Sequence, residues 1–305
     1  MQRYILNRIL QSVIALLILS VVIFGLGRLT GDPVVLLLPP DATQEAEDLL
    51  RASLGLDQPL PVQYWLFISN AARLEFGDSL KARRPVTELI KPKVIISLKL
   101  GIVAMGITLL MGIPLGVLAA VKRGTSLDTM ANMIAVLGQS LPQFWVGIML
   151  IQIFTVRLDL LPASGTGGIT HYILPAFTLG WFVAAGIMRL LRSSMLEALD
   201  GEYIKMARIK GLPEWKIVWK HTLKNALIPV LTFGGSYLAA FITGAILVET
   251  VFAWPGVGRL VYDAIIWRDF PVLQSLILMI AAVVISVNLI VDILYAYIDP
   301  RIRYT

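Results

Sequence analysis

The densest group of ionisable side chains lies between Asp200 and Pro229. Six basic residues occur in this short stretch: Lys205, Arg208, Lys210, Lys216, Lys220 and Lys224. Ammonium and guanidinium groups bind anions, and a membrane protein keeps a loop this basic on the cytoplasmic side. On charge alone, a loop that lies on anionic lipid headgroups is as good an interpretation as a specific binding role.

The sequence contains no comparable set of residues that could carry out catalysis. There are no cysteines, and the two histidines, His171 and His221, lie in unrelated segments, so a metal site is not expected. No GxxxxGK[ST] phosphate-binding loop occurs, and no serine, histidine and aspartate are arranged as a nucleophile with its base. The sequence therefore predicts a protein without enzymatic activity and without a cofactor of its own.

Polar residues within apolar runs form a second set of candidates. Such groups are costly at membrane depth and normally face protein or a water-filled path. Gln139, Ser140 and Gln143 flank Pro142, and they are candidates either for a solute pathway or for helix contacts. The full candidate set for a pathway or gate is Gln139, Ser140, Gln143, Ser236, Thr243 and Glu249. Glu249 has a second interpretation as a paired structural carboxylate.

The elements that position these residues are membrane spans. The 305-residue chain is 57% hydrophobic, with a mean hydropathy of +0.78, well above the ~45–50% apolar content of soluble domains. Runs long enough to cross a bilayer are Ile9–Leu26, Ser97–Val121, Met130–Val156, Ile173–Leu191, Ile228–Val251 and Val272–Tyr297. We predict an all-α membrane protein with six transmembrane helices. A signal peptide is the competing interpretation of the first run.

The charges predict the orientation of these spans. Lys122, Arg123, the Asp200–Pro229 stretch and both termini are rich in lysine and arginine, whereas the two short loops on the other side carry only Arg157, Arg259 and Arg268. The long segment from Thr30 to Lys93 also contains a basic cluster, but long loops translocate largely regardless of charge. The positive-inside rule therefore places both termini in the cytoplasm. In the last span, Asn288 and Asp292 share a helix face, and Asp292 is expected to pair with a loop arginine.

The basic stretch itself predicts two helices joined at a glycine. Asp200 is the expected N-cap of the first helix, and Gly211 followed by Pro213 is expected to end it. The second helix is expected to carry an apolar face made of Trp215, Val218, Trp219 and Leu223.

The remaining long segment, from Thr30 to about Lys93, is the least apolar part of the chain. Without a span, it is expected to form an extracytoplasmic subdomain. The predicted division is 1–29 for the N-terminus and first span, 30–95 for the extracytoplasmic loop, and 96–305 for a transmembrane core that includes the loop 200–229.

These features resemble permease subunits of binding-protein-dependent ABC importers, in particular the dipeptide and oligopeptide branch. The cytoplasmic EAA loop of that family is matched by Tyr203, Ala207, Arg208, Lys210, Gly211, Asn225, Ala226 and Pro229. Lys205 and Met206 stand where the general consensus has glutamate and alanine. Other matching elements are Leu54–Tyr64 in the first external loop, the LPASG segment, the residues Glu249, Trp254, Pro255, Gly256, Gly258 and Arg259, and the closing Asp299, Pro300 and Arg301.

The resemblance implies a type I ABC importer permease fold in a bacterial or archaeal inner membrane. It implies a homologous second permease, two ATPase subunits that bind ATP and Mg, and an extracytoplasmic solute-binding protein as partners, with no nucleic acid. The residues that would couple to the ATPases are Tyr203, Lys205, Met206, Ala207, Arg208, Lys210 and Gly211.

Several functional alternatives remain open at this stage. Di- and oligopeptides are the expected cargo, and nickel chelates, glutathione or another small solute are the alternatives. An ion-coupled secondary carrier would need acid and base relays within the spans together with inverted repeats. The sequence offers only Asp292 well inside a span.

Overall fold

The computed structural model of the chain describes residues 2–29, 34, 38, 43–53, 55–243 and 246–298. Its helices are α1 (Gln2–Leu29), α2 (Gln44–Ser53), α3 (Leu60–Ala72), α4 (Val86–Val121), α5 (Ser126–Ser140), α6 (Gln143–Arg157), α7 (Thr170–Leu199), α8 (Glu202–Ile209), α9 (Glu214–Ile242), α10 (Ile246–Val251), α11 (Val257–Ile266) and α12 (Phe270–Ile298). Two segments have π-helical hydrogen bonds, Ile151–Arg157 in α6 and Ile217–Thr222 in α9. The described residues contain no strand beyond a single bridge between Asp78 and Pro85.

Five helices are long and apolar enough to cross a membrane, namely α1, α4, α7, α9 and α12. Helices α5 and α6 pass the same test together and bring the total to six. The predicted number of spans therefore agrees with the structure when this pair is one span. Helix α4 begins at Val86, eleven residues before Ser97, the predicted start of the second span.

The third span is broken, whereas the sequence predicted one continuous helix from Met130 to Val156. Helices α5 and α6 meet at an angle of 104° at Leu141 and Pro142. Leu141 is extended, with φ −86° and ψ 132°, because the proline ring disfavours the helical conformation in the residue before it.

The fifth span also differs from its predicted range of Ile228–Val251. Helix α9 already begins at Glu214 and ends at Ile242, and Ile246–Val251 forms the separate helix α10. Gly244 and Ala245 lie outside the described residues. Gly235 of α9 allows a close contact inside the chain, because a Cβ at this position would lie 2.6 Å from the Val291 side chain of α12.

The core is centred on the pair α4 and α7. Leu100 and Ala104 of α4 are buried with Leu179, Ile187 and Leu191 of α7. The two backbones approach closely where α4 carries glycine. A Cβ on Gly112 would lie 2.8 Å from the Ile187 side chain, so the small residue permits the contact.

The segment before α4 packs onto the first and last spans. Tyr64 of α3 contacts Phe24 of α1 edge to face, with ring centroids 5.6 Å apart, and its hydroxyl lies 2.8 Å from Ser20 Oγ. Asp269, just before α12, accepts hydrogen bonds from Ser79 Oγ and from the Leu80 amide at 3.2 Å. These contacts fix the described part of the predicted 30–95 segment against the span bundle.

Candidate functional site

Helix α8 begins one residue later than the sequence predicted. Asp200 ends α7 in a helical conformation, with φ −82° and ψ −6°, and Gly201 is the N-cap of α8 in an extended conformation. The prediction of Asp200 as N-cap is therefore wrong. Helix α7 extends to Leu199 with Asp200 as its C-cap, so the chain leaves the helical conformation at Gly201.

The end of α8 agrees with the sequence. Gly211 has φ +72°, the left-handed conformation that glycine adopts without a steric penalty. Leu212 donates its amide to Ala207 O at 3.2 Å, and Gly211 donates to Arg208 O at 2.9 Å. These two bonds make a Schellman motif, which satisfies carbonyls at the helix end. Pro213 then caps the start of α9.

The underside of α8 rests on a small apolar cluster of its own. Ile204 and Ala207 are buried with Ile217 of α9, and Leu212 packs against them. Asn225 of α9 donates its amide to the Tyr203 hydroxyl at 3.1 Å. Arg208 forms an ion pair with Glu214 at 2.8 Å. Helix α8 is therefore held mainly by α9, and its chain connects directly to α7. We refer to this end of the bundle as the α8 end.

Six of the seven predicted coupling residues point away from that cluster. Ala207 is buried, whereas the other six residues are exposed: Tyr203, Lys205, Met206, Arg208, Lys210 and Gly211. Their surface includes apolar residues that the coupling set left out, Ile209, Trp215 and Trp219, which are 52–79% exposed. Apolar side chains exposed among basic ones mark a contact surface.

The predicted apolar face of α9 is divided between two surfaces. Val218 and Leu223 are buried, whereas Trp215 and Trp219 are exposed. The π-helical bonds of Ile217–Thr222 change the residue period, so side chains expected on one helix face separate. Trp215 and Trp219 lie within a basic segment, and this unusual combination is the signal in the sequence that could have indicated their exposure.

The pathway candidates lie in three places. Gln139, Ser140 and Gln143 surround the break between α5 and α6. The Ser236 and Thr243 hydroxyls donate to carbonyls of their own helix α9, Thr232 O at 3.2 Å and Ala239 O at 3.1 Å. Glu249 lies in α10 and is buried.

Arg189 of α7 is the partner of Gln139. The guanidinium donates from Nη1 to Gln139 Oε1 at 2.7 Å, and Arg189 is exposed while Gln139 is half-buried. Because the contact joins residues that are fifty positions apart, no local pattern indicates it.

Glu249 joins three elements through hydrogen bonds. Its Oε1 accepts from Ser97 Oγ of α4 at 2.6 Å, and its Oε2 accepts from the Arg259 amide at 3.0 Å. The Ser97 hydroxyl in turn accepts from the Val257 amide at 2.8 Å. These bonds favour the structural interpretation of Glu249.

Trp254 lies in the interior of the chain. Its side chain is fully buried and contacts Tyr172 edge to face, with ring centroids 4.8 Å apart. The Trp254 amide donates to the Glu249 main-chain carbonyl at 2.7 Å, and the tryptophan side chain belongs to the core cluster that includes Leu174 of α7 and Val248 of α10.

Gly256 is packed against the Glu249 carboxylate, so we predict that Gly256→Ala destabilises the protein. The added Cβ would overlap Ser97 Oγ and both Glu249 oxygens, and the two Glu249 oxygens are held in place by hydrogen bonds from Ser97 and from the Arg259 amide. Overpacking of this kind costs ~1–3 kcal/mol. The measurement is the thermal unfolding midpoint in detergent. Gly168→Ala is the control, because no atom lies within 4 Å of its added Cβ. Equal midpoints for the two variants would contradict the prediction.

A partly buried ion pair lies near the α8 end, and the sequence analysis missed it. Arg192 of α7 contacts Asp128 of α5 with two bonds, Nε to Oδ1 at 2.6 Å and Nη2 to Oδ2 at 2.8 Å. Asp128 also accepts from the Gly124 amide at 3.0 Å and from Asn132 Nδ2 at 2.8 Å. The pair fixes the turn between α4 and α5 against α7.

Asp292 pairs with an arginine, as expected, but not with a loop residue. Its Oδ2 lies 3.4 Å from Arg8 Nε, and Arg8 belongs to helix α1. The contact therefore joins the first and last spans. Among the described residues, no group of three histidines, cysteines or acids is placed to hold a metal ion.

Comparison with known proteins defines the class. Residues 112–304 match the family described as binding-protein-dependent transport system inner membrane component, and residues 1–100 match the N-terminal part of such membrane components. Among solved structures, the MetNI methionine ABC transporter in inward-facing conformations gives a TM-score of 0.60 at 20% identity, covering 69% of this chain and 96% of that one. The fold is thus that of a type I ABC importer permease, as the sequence predicted.

The chain belongs to the binding-protein-dependent transport system inner membrane component family and is a multi-pass inner-membrane permease subunit of an ABC importer. It is 43% identical, over the full length of both proteins, to the glutathione transport system permease protein GsiC of Escherichia coli strain K12. The GsiC protein of Salmonella typhimurium strain LT2 is also 43% identical over 305 residues.

Proposed function

We propose that this permease carries short peptides, with glutathione as the first cargo to test, and that separate ATPase subunits drive it through α8. The observation that carries the coupling role is the surface of α8: a buried anchor at Ile204 and Ile217 beneath exposed apolar and basic residues. Such a surface is suited to a protein partner, because apolar contact and charge complementarity are both available.

Movement of α8 would reach the spans directly. Helix α7 ends next to Gly201, and α9 begins at Glu214 after the tight turn at Gly211. The Arg208–Glu214 ion pair and the Asn225–Tyr203 bond connect α8 sideways to α9. When the ATPases close on ATP and Mg, displacement of α8 therefore acts on two spans, and the pathway changes access between the two membrane sides.

The proposed assembly contains this chain, a homologous second permease, two ATPases and an extracytoplasmic solute-binding protein. Residues 30–95 are proposed as the extracytoplasmic part, and residues 96–305 as the transmembrane core. ATP hydrolysis belongs to the partner chains in this proposal. The cargo assignment is supported by the two glutathione permeases at 43% identity and by the resemblance to the peptide branch.

Uptake into vesicles tests the proposed function. The four kinds of subunit are reconstituted together, the binding protein is supplied on the side of the 30–95 segment, and labelled glutathione and a labelled dipeptide are compared. We expect ATP-dependent accumulation of glutathione, and none with this chain alone. Accumulation by this chain without ATPases would overturn the coupling proposal, and exclusive uptake of another solute would overturn the cargo proposal.

The orientation is tested with introduced cysteines, because the natural chain has none. Lys210 follows α8, and Ser164 lies between α6 and α7; both are exposed. With the α8 end in the cytoplasm, a membrane-impermeant maleimide should label Ser164→Cys in intact cells and Lys210→Cys only after permeabilisation. The opposite pattern would contradict the proposed cytoplasmic position of both termini. The unmodified chain is the control for background labelling.

A further inference from the structure

Arg189 is a cation whose partner within the described residues is a neutral amide. Of its five guanidinium donors, one is used by Gln139 at 2.7 Å, and the described part of the chain offers Arg189 no carboxylate. Arg192, one turn further along α7, is bound by both Asp128 oxygens. Within the described part of the chain, the same helix therefore carries one arginine with a counter-ion, Arg192, and one without, Arg189.

The Arg189 guanidinium is held away from the α8 end. Its partner Gln139 is the penultimate residue of the 15-residue helix α5, ~20 Å from the first residue of that helix. Long side chains on a helix point back toward its N-terminus, and Arg189 follows this direction. An arginine near a membrane surface would instead extend its charge toward that surface. The charge is thus positioned beside the break at Pro142, within the span region.

The residues around the guanidinium leave it open on one side. Gly186, one turn before Arg189, allows Phe233 of α9 and Gln139 of α5 to approach the same place: a Cβ there would lie 2.8 Å from the Phe233 ring and 3.3 Å from Gln139 Nε2. Phe233 also contacts Tyr237, with centroids 4.8 Å apart. We call Gln139, Gly186, Arg189 and Phe233 the Arg189 patch.

A charge at this depth needs a water-filled cavity or an opposite charge. Because three spans of this chain converge at the patch and leave Arg189 exposed, a passing molecule can meet the free donors of the guanidinium. A planar guanidinium binds a carboxylate with two parallel bonds. Gln139, by accepting one bond, fixes the orientation of the remaining donors.

We propose that the Arg189 patch is a cargo-binding site that recognises a carboxylate of a short peptide as it passes through the permease. The inference rests on the proposed function, since it requires a carboxylate-bearing cargo. Phe233 supplies apolar contact beside the charge, and Gln139 is a positioning residue. The binding is expected to be weak, because a transport site must release its cargo.

Binding is measured on the assembled importer without its solute-binding protein, so that the cargo preference of that protein does not affect the result. Saturation-transfer NMR detects weak binding, and the probes are glutathione and its diethyl ester, in which both carboxylates are masked. We expect the wild type to transfer magnetisation to glutathione at least fivefold more strongly than to the ester. Arg189→Gln should reduce the glutathione signal to the level of the ester, and Arg189→Lys should retain part of it.

Uptake supplies a second measurement, with saturating glutathione-loaded binding protein. Arg189→Gln should lower the maximal rate at least fivefold while ATP hydrolysis stimulated by the loaded binding protein stays within twofold of wild type. Retained discrimination between glutathione and its ester in Arg189→Gln would overturn the site, as would equal loss of uptake and stimulated ATP hydrolysis, which indicates a structural or subunit contact. Absence of ATP-driven uptake in the wild type would instead count against the proposed function.

Discussion

Gly211→Glu is expected to abolish ATP-driven uptake while leaving the amount of permease in the membrane unchanged. Gly211 has φ +72°, and a residue with a Cβ pays ~1–2 kcal/mol in this conformation. The space around the position is open, since no atom lies within 4 Å of an added Cβ. The variant therefore folds, but its carboxylate projects from the α8 surface next to Arg208 and Lys210 and places a negative charge on the basic surface that the ATPase would meet.

The measurements are uptake of labelled glutathione into vesicles and copurification of the ATPases with the permease. Gly211→Asn is the matched control, because asparagine tolerates the left-handed conformation and carries no charge. It should retain at least half of the uptake. Normal uptake in Gly211→Glu would remove the coupling role from α8, and equal loss in both variants would assign the effect to the turn itself.

The end of α8 could be predicted because its determinants are local. A glycine in the left-handed conformation, a proline two residues later and basic side chains in the last turn all act within a few residues. The same is true of the spans, whose apolar runs are sufficient to predict their number. The N-cap at Gly201 was missed because the length of α7 depends on packing, and Asp200 has no local feature that excludes it from helix.

The interior of the site could not be predicted from local patterns. The bonds of Glu249 to Ser97 and the contact of Arg189 with Gln139 join distant parts of the chain. A sequence pattern indicates that a carboxylate at membrane depth needs partners, but it does not say which. Trp254 shows the same limit, since an aromatic residue near a span end fits both an interface and a buried position.

The Asp128–Arg192 pair is another contact between residues that lie far apart in the sequence. Its position predicts that it transmits movement between α5 and α7. Helix α7 leads into α8, and α5 carries Gln139 at its far end. A two-bond contact between α5 and α7 makes these helices respond together when α8 is displaced. Without the pair, α5 and α7 keep only the Arg189–Gln139 bond and the apolar contact of Ala131 and Ala135 with Ala185 and Met188, so α5 follows the movement of α7 less closely.

Asp128→Asn and Arg192→Gln are therefore each expected to raise the number of ATP molecules hydrolysed per glutathione imported by at least threefold. The same substitutions should also lower the free energy of unfolding. Removal of one partner from a buried ion pair lowers it by ~3–5 kcal/mol, and we expect ~2–3 kcal/mol here because the Arg192 side chain is 25% exposed. Arg192→Lys keeps the charge and loses the two-bond geometry, so it should lie between wild type and Arg192→Gln.

The double variant Asp128→Asn with Arg192→Gln separates coupling from simple destabilisation. If the pair acts as a unit, the two changes are not additive, and the double variant should unfold at a temperature no lower than that of the worse single variant. The number of ATP molecules hydrolysed per glutathione imported should nevertheless remain high, because the ion pair between α5 and α7 is still missing. Recovery of normal transport stoichiometry in the double variant would show that the pair stabilises the fold without transmitting motion, and an unchanged stoichiometry in all variants would remove the role in transmitting motion.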